Sequence, residues 1–429
     1  MVNISDYKII NNGSLDVTKD LQNIIDNNND IVFNKGIYLI SNLYFHDNMN
    51  IIFEDGCILK GTTNENDIDI IDTRVAGIDM PFYAAVLNII SCKNINIKGK
   101  GTILGGGRYY YIKYWGIDKK GGYRAIYDKK NLRFAADYDC KRPRNLLIQK
   151  SSNIYISDIK LEDSGFWNLH ILYSNNIIIN NINVLSEDSI GPSTDGIDID
   201  SSNNIKITNS IISTNDDGIS IKSGRGPDGI RRNIPSYNIK IDNILFNKGY
   251  GIAFGSELSA GIYDVDISNI KYENTFSAIR IKSSRNRSGY VKNIKINNIK
   301  ALNVSYLFHF HLDWNKNYNQ LFIPNNIKNY PKYYDTLIEN IDENTPLTEI
   351  TNFNIENIES NYDNNYEGIS RLFTLIGYEN KPINNINFKN MNINMKEYGI
   401  LKYSNINISS SNINTKIKYD SKNDDFDNR

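Results

Sequence analysis

A seven-residue phrase, Asn/Asp-apolar-x-apolar-x-Asn-apolar, recurs along this chain and sharply limits its possible folds. It reads Asn153-Ile-Tyr-Ile-Ser-Asp-Ile159, Asn176-Ile-Ile-Ile-Asn-Asn-Ile182 and, with one extra residue, Asn204-Ile-Lys-Ile-Thr-Asn-Ser-Ile211. It continues as Asn238-Ile-Lys-Ile-Asp-Asn-Ile244, Asp264-Val-Asp-Ile-Ser-Asn-Ile270 and Asn293-Ile-Lys-Ile-Asn-Asn-Ile299, with weaker copies at Asn94, Asn352, Asn385 and Asn405. Successive starts from Asn153 lie 23, 28, 34, 26 and 29 residues apart. Self-similarity at such a period signals stacked repeats. Alternation with period 2 makes each phrase a short strand with its Ile and Val inward. Two strands per period, joined by Asn/Ser/Gly turns, predict an all-β solenoid of parallel strands. Asn tolerates the left-handed backbone, so Asn181, Asn209, Asn243, Asn269 and Asn298 are expected to form a structural ladder at turns.

The ends and interruptions follow from the same pattern. Thr18-Lys-Asp-Leu-Gln-Asn-Ile-Ile25 carries a helix start signal, with Leu21, Ile24 and Ile25 on one face. A short N-terminal helix within about 14–30 would cap the open end of the solenoid. The period breaks over about 312–345, a Tyr-, Asn- and Pro-rich stretch that reads as a loop insertion. The polar tail at about 420–429 is expected to fray. No linker separates two domains, so residues 1–429 are expected to form one.

Composition excludes several classes. Forty-eight Lys and Arg balance 49 Asp and Glu, for a net charge of −1, which argues against a nucleic-acid binder. No apolar run approaches the roughly 18 residues that cross a bilayer, so no membrane partner is expected. The start, MVNISDYKIINNGSLDV, lacks a basic region followed by an apolar core. A cytoplasmic protein is expected, or a secreted one if a leader has been removed. Cys57, Cys92 and Cys140 are too few and too scattered for a disulfide framework or a zinc site, and read as buried thiols. Near-neutral charge and a long solenoid fit a monomer.

A second repeat keeps its apolar positions while its polar ones change. Asp195-Gly-Ile-Asp-Ile-Asp200 returns as Asp217-Gly-Ile-Ser-Ile-Lys222, Tyr250-Gly-Ile-Ala-Phe-Gly255 and Ser277-Ala-Ile-Arg-Ile-Lys282, at offsets of 22, 33 and 27 residues. Stacking would form three polar columns: Asp195, Asp217, Tyr250, Ser277; Asp198, Ser220, Ala253, Arg280; and Asp200, Lys222, Gly255, Lys282. Extended both ways, the columns take in His170, His309 and His311. Acids gather at one end and bases at the other, a pattern suited to an acidic sugar. Glycoside hydrolysis needs one carboxylic acid for the leaving oxygen and one carboxylate for water or carbon, and Asp195, Asp216 and Asp217 offer three. With rungs about 4.8 Å apart, Asp195 would lie beside Asp217. Arg280 and Lys282 share the outward face of one strand and would pair with a substrate carboxylate. The plainer readings are Asp-Gly turns and a solvated basic face. Two Asp-Gly copies in register, followed by the basic rungs, favour a site.

These segments resemble glycoside hydrolase family 28, the pectin-hydrolysing polygalacturonases. Pro192-Ser-Thr-Asp-Gly-Ile-Asp198 is similar to that family's N-T-D-G-x-D, and Asn215-Asp-Asp-Gly-Ile-Ser-Ile-Lys-Ser-Gly224 to its D-D-x-x-x-x-K-S-G. Gly249-Tyr-Gly-Ile-Ala-Phe-Gly-Ser-Glu257 resembles G-H-G-x-x-x-G-S, and Arg280-Ile-Lys282 matches R-I-K. Phe166-Trp-Asn-Leu-His170 looks like a substrate-side segment of bacterial exo-acting members. The resemblance implies a right-handed parallel β-helix and inverting hydrolysis, with Asp216 as general acid and Asp195 and Asp217 activating water. It implies that Arg280 and Lys282 hold the uronate, with Tyr250 and His170 on the substrate side, and that no metal or other cofactor is needed. The partner it implies is an acidic, pectic poly- or oligosaccharide, attacked from an end.

Two departures stand out: Ser193 replaces the Asn of N-T-D, and Tyr250 replaces the His of G-H-G. Tyrosine can donate a hydrogen bond but does not titrate near neutral pH. Two alternatives therefore stay open: a rhamnogalacturonan-active or lyase-type pectin enzyme, and a non-catalytic carbohydrate-binding β-helix.

Overall fold

The alternating phrases form strands whose Ile and Val side chains face inward. The structure, a computed structural model, describes residues 1–188, 190–315, 318 and 320–419; the expected polar tail at 420–429 lies outside them. The chain divides into two compact units. The first comprises Met1–Val75, Asp79–Asp216 and Ile323–Lys328; the second comprises Ala76–Ile78, Asp217–Phe322 and Asn329–Arg429. Each is built of parallel coils, a right-handed parallel β-helix as the crossover rule requires.

In the first unit a coil contributes three strands, one more than the repeat suggested. Leu146–Gln149, Ser152–Ser157 and Lys160–Glu162 are followed by Leu169–Leu172, which starts the next coil. Inward residues stack in register: Leu43, Leu87, Leu146, Leu169 and Ile197 form one column. Ile51, Ile97, Ile156, Ile179 and Ile207 form another. The extra break falls at Asp158 and Asn181, whose φ of 67° and 53° turns the chain between strands. In the run Asn203–Thr214 of the first unit, and in those of the second unit, the corresponding strands stay continuous. Ser236–Lys248, Ile262–Glu273 and Tyr290–Leu302 each bend through a left-handed Asn without ending.

The asparagine ladder forms as expected. Asn181, Asn209, Asn243, Asn269 and Asn298 all have φ between 53° and 59°. Their side chains bond along the stack: Asn298 donates to Asn269 at 2.6 Å, and Asn269 donates to Asp242 at 2.7 Å. The phrase-opening residues make a second ladder, in which Asn204 donates to Asn176 at 3.1 Å and Asn176 to Asn153 at 3.2 Å. An L side chain in this conformation costs about 1–2 kcal/mol unless it bonds locally. Asn298→Ala should therefore destabilise the protein by about 1–2 kcal/mol. A lowered urea midpoint at unchanged slope would report it, and an unchanged midpoint would contradict the ladder's energetic role.

The N-terminal helix spans Thr18–Asp26 and buries Leu21, Ile24 and Ile25. Asp16 accepts a hydrogen bond from the Thr18 amide at 2.8 Å. A second helical excursion, absent from the sequence reading, runs through Gly107–Trp115, Gly122–Lys129 and Ala136–Asp139. It buries Tyr110, Tyr111 and Tyr114, a spacing of helical type. The expected insertion follows the strand Tyr306–His311 and precedes Glu349–Asn361; it includes the short helix Tyr334–Ile338. All three cysteines are buried and free, and burial pushes the Cys57 thiol up to about 12.

Candidate active site

The repeat that carries the polar columns supplies short strands: Ile197–Asp200 in the first unit, and Ile219–Lys222, Ile252–Phe254 and Ser277–Lys282 in the second. Their register follows the sequence offsets. Ser220 lies opposite Ala253, Ala253 opposite Arg280, and Arg280 opposite His309. In the first unit His170 lies opposite Asp198 and Leu172 opposite Asp200.

In the first unit Asp195 precedes its strand and is 4% exposed, while Asp216 is half-buried. A carboxylate oxygen of each lies within 4.8 Å of the other's. Inverting glycosidases hold their two carboxyl groups about 6.5–9.5 Å apart and retaining ones about 5–5.5 Å; the oxygens of this pair stand closer than the inverting range. The Asn168 amide donates to the Asp195 carbonyl at 2.8 Å, and Thr194 Oγ1 accepts from the Asn215 amide at 3.3 Å.

The same unit holds a buried charged network. Arg74 donates to Asp79 and to Asp200, each at 2.9 Å, and to Ser201 at 2.9 Å. Burial alone would raise the Asp200 carboxyl, but Arg74 and His170 hold it below the usual range. His170 Nε2 is 3.6 Å from Asp200. Burial chiefly drives the imidazole down to about 3, only partly opposed by Asp200. The ring is therefore neutral near pH 7, and this contact is not an ion pair there. Arg144, also fully buried, is lowered to about 10 by burial, and its guanidinium lies 5.5 Å from the ring centres of both Phe166 and Trp167.

In the second unit Asp217 is fully buried beneath two cations. Lys282 donates to it at 2.5 Å and Arg280 lies 3.7 Å away. Burial on its own would raise this carboxyl, yet Lys282, Arg280 and Lys222 more than offset that and hold it ionised. Arg280 and Lys282 retain only 6% and 7% exposure, and Trp314 of the insertion lies against both. The Trp314 ring centre is 5.3 Å from Lys282 Nζ and 5.9 Å from the Arg280 guanidinium. Tyr250 supports Arg280 with its ring centre 4.6 Å from the guanidinium, and packs on Phe276 at 4.8 Å. His309, in the next rung, is buried and driven well below its ordinary value, chiefly by burial.

The structure brings Arg280 and Lys282 onto Asp217, and Tyr250 onto Arg280; the sequence reading sets Asp195, Asp217 and Tyr250 in one column and Arg280 and Lys282 in the next two. It missed Trp314, which sits where the period breaks and leaves no spacing signal. It also missed the Arg74–Asp200 pair, whose partners are 126 residues apart. A shallow groove of about 380 Å³ lined by Asn243, Asn269, Asn298, Lys271 and Lys300 overlies the structural ladder and contains none of these groups.

Against this geometry, the model for glycosyl hydrolases family 28 matches residues 60–328. The chain belongs to that family. Family 28 relatives include a probable polygalacturonase of Vitis vinifera, 37% identical over 169 residues, covering 39% of this chain and 34% of the relative. An endo-polygalacturonase of Pectobacterium carotovorum subsp. carotovorum is 28% identical over 284 residues, 63% of each chain. The chain thus spans less than two thirds of the length of these curated relatives. The crystal structure of a hyperthermoactive exopolygalacturonase from Thermotoga maritima matches the fold with a TM-score of 0.78. That match covers 96% of this chain and 91% of the other at 22% identity.

Proposed function

We propose that this family 28 protein hydrolyses galacturonate-containing, pectic chains from an end, with inversion. Asp216 protonates the leaving oxygen, Asp195 and Asp217 activate water, and Arg280 and Lys282 hold the uronate carboxylate. Tyr250 orients Arg280, and His170 acts on the substrate side through Asp200.

The observation that carries this reading is the buried charge around Asp217. Lys222, Arg280 and Lys282, all buried in one unit, act together on the single buried carboxylate Asp217. Such an excess of buried cations favours an anionic ligand. A base that must stay ionised gains from the same cations. The membership of the chain in family 28 supports hydrolysis; attack from a chain end follows the bacterial exo-type segment Phe166–His170.

The test is incubation with polygalacturonate and short galacturonate oligomers in the presence of chelator, with chromatography of new reducing ends. Monomer release from an end is expected, with the inverted anomer formed first by proton NMR. The Asp216→Asn variant should be slower by about 10²–10⁴-fold. An unsaturated product absorbing in the ultraviolet would instead indicate a lyase. With Tyr250 in the family histidine's place, absence of cleavage would move the search to rhamnose-containing pectins. Binding without cleavage of any of them would leave a binding-only role.

A further inference from the structure

Glu257 follows the Gly249–Ser256 segment and has no part in the chemistry above. It is 3% exposed, yet four polar groups converge on its carboxylate. Ser256 Oγ donates at 2.8 Å, the Tyr318 hydroxyl at 3.2 Å and Lys222 Nζ at 3.4 Å, while Arg287 lies 4.0 Å away. Burial would raise this carboxyl; Lys222, Arg287 and Arg225 more than offset that and hold it ionised. The turn Ala76–Ile78 packs against it too, since a Cβ on Gly77 would lie 2.7 Å from Glu257 Cγ.

Two of these contacts lead back to Arg280 and Lys282. Lys222 and Lys282 extend strands whose Ile221 and Ile281 flank Phe254, so a rung ending in Gly255 separates the two lysines. Glycine offers no side chain to keep them apart, and a Cβ there would come within 2.3 Å of the Lys282 carbonyl. The lysines are sorted by their carboxylates: Lys282 goes to Asp217 and Lys222 to Glu257. The second contact is Tyr318. Its ring packs on Trp314 at 5.5 Å and lies under Arg225 at 4.9 Å. Glu257 thus reaches the aromatic cover over both cations.

We propose that Glu257 is a positioning residue for the anion-binding pair: it withholds Lys222 from Asp217 and, through Tyr318, seats Trp314 over Arg280 and Lys282. This rests on the reading of that pair as the uronate contact. Without the Glu257 charge, Lys222 turns to Asp217 and competes with Lys282, and the pair loses its fixed geometry.

The test compares wild type, Glu257→Gln, and the double variant Glu257→Gln/Lys222→Met. In Glu257→Gln, KM for digalacturonate should rise about tenfold with kcat changed far less. The double variant should recover most of that loss, because the cation that needs restraint is gone. It also relieves the unpaired buried charge, so it reports even if the single variant folds poorly. A second readout needs no sugar. Tryptophan emission, taken as the difference from a Trp314→Phe counterpart, should shift to the red in Glu257→Gln as Trp314 loses its seat. An unchanged KM, or a double variant no better than the single, would overturn the electrostatic role. Unchanged emission would overturn the placement of Trp314. If wild type neither cleaves nor binds any pectic oligomer, the functional reading fails, and the emission arm still decides whether Glu257 positions the cover.

Discussion

Asp217→Asn should lose hydrolysis and also about 3–5 kcal/mol of stability. The aspartate is fully buried with Lys282 at 2.5 Å and Arg280 at 3.7 Å. Asparagine leaves both cations in place without a counter-charge, and the uncompensated charge accounts for the loss. Asp216→Asn, at a half-buried position, should cost activity while keeping the urea midpoint close to wild type. Denaturation of the two variants side by side separates loss of activity from loss of a buried counter-charge. Equal midpoints would show that Asp217 does not anchor the cations. The pH dependence has a definite sign. The folded-state pKa of Asp217 is depressed, so its contribution is fully present above the unfolded value, near 4. It is lost as pH falls from there through the lowered pKa. In Asp217→Asn that portion of the acid sensitivity should vanish.

Asp200→Asn carries the second large effect, about 3 kcal/mol. Both its side chain and that of Arg74 are wholly excluded from solvent. The substitution leaves Arg74 with Asp79, whose side chain is 28% exposed and so compensates only in part. Pairing it with Arg74→Met removes the stranded charge as well. The double variant should then be more stable than Asp200→Asn alone by about 1 kcal/mol or more. If the two losses simply add, the buried pair is not coupled as its geometry requires. The same acid-side sign applies, because Arg74 and His170 hold the Asp200 carboxyl low.

The sequence disclosed the frame more completely than the contacts within it. Period-2 alternation fixes which residues face inward, and the offsets between repeats fix which residues stack. That is why the sequence alone sets His170 opposite Asp198, and Arg280 opposite His309. The left-handed asparagines were legible for the same reason, since a residue that must turn at every coil recurs at every coil. Partner choice by long cations was not legible. Arg74 takes Asp200 from 126 residues away, and Lys222 takes Glu257 although Asp217 is also near enough to be influenced by it. Such choices depend on rotamers and desolvation, which leave no periodic trace. The helices between Gly107 and Asp139 were missed because their tyrosines carry a helical period for too few turns to rise above the surrounding strand signal.

The column Ser220, Ala253, Arg280 and His309 sets four different chemistries on one backbone position repeated along a stack. The inward neighbours on these strands are Ile and Phe, all buried, and a change there displaces the coil above and below. A change in the column itself leaves those inward contacts in place. The protein therefore keeps its architecture and its polar groups on separate sets of residues, interleaved at every second position. Altering that chemistry would then require no new register of the coils, only new occupants for rungs such as Arg280 and His309 that fit their buried surroundings.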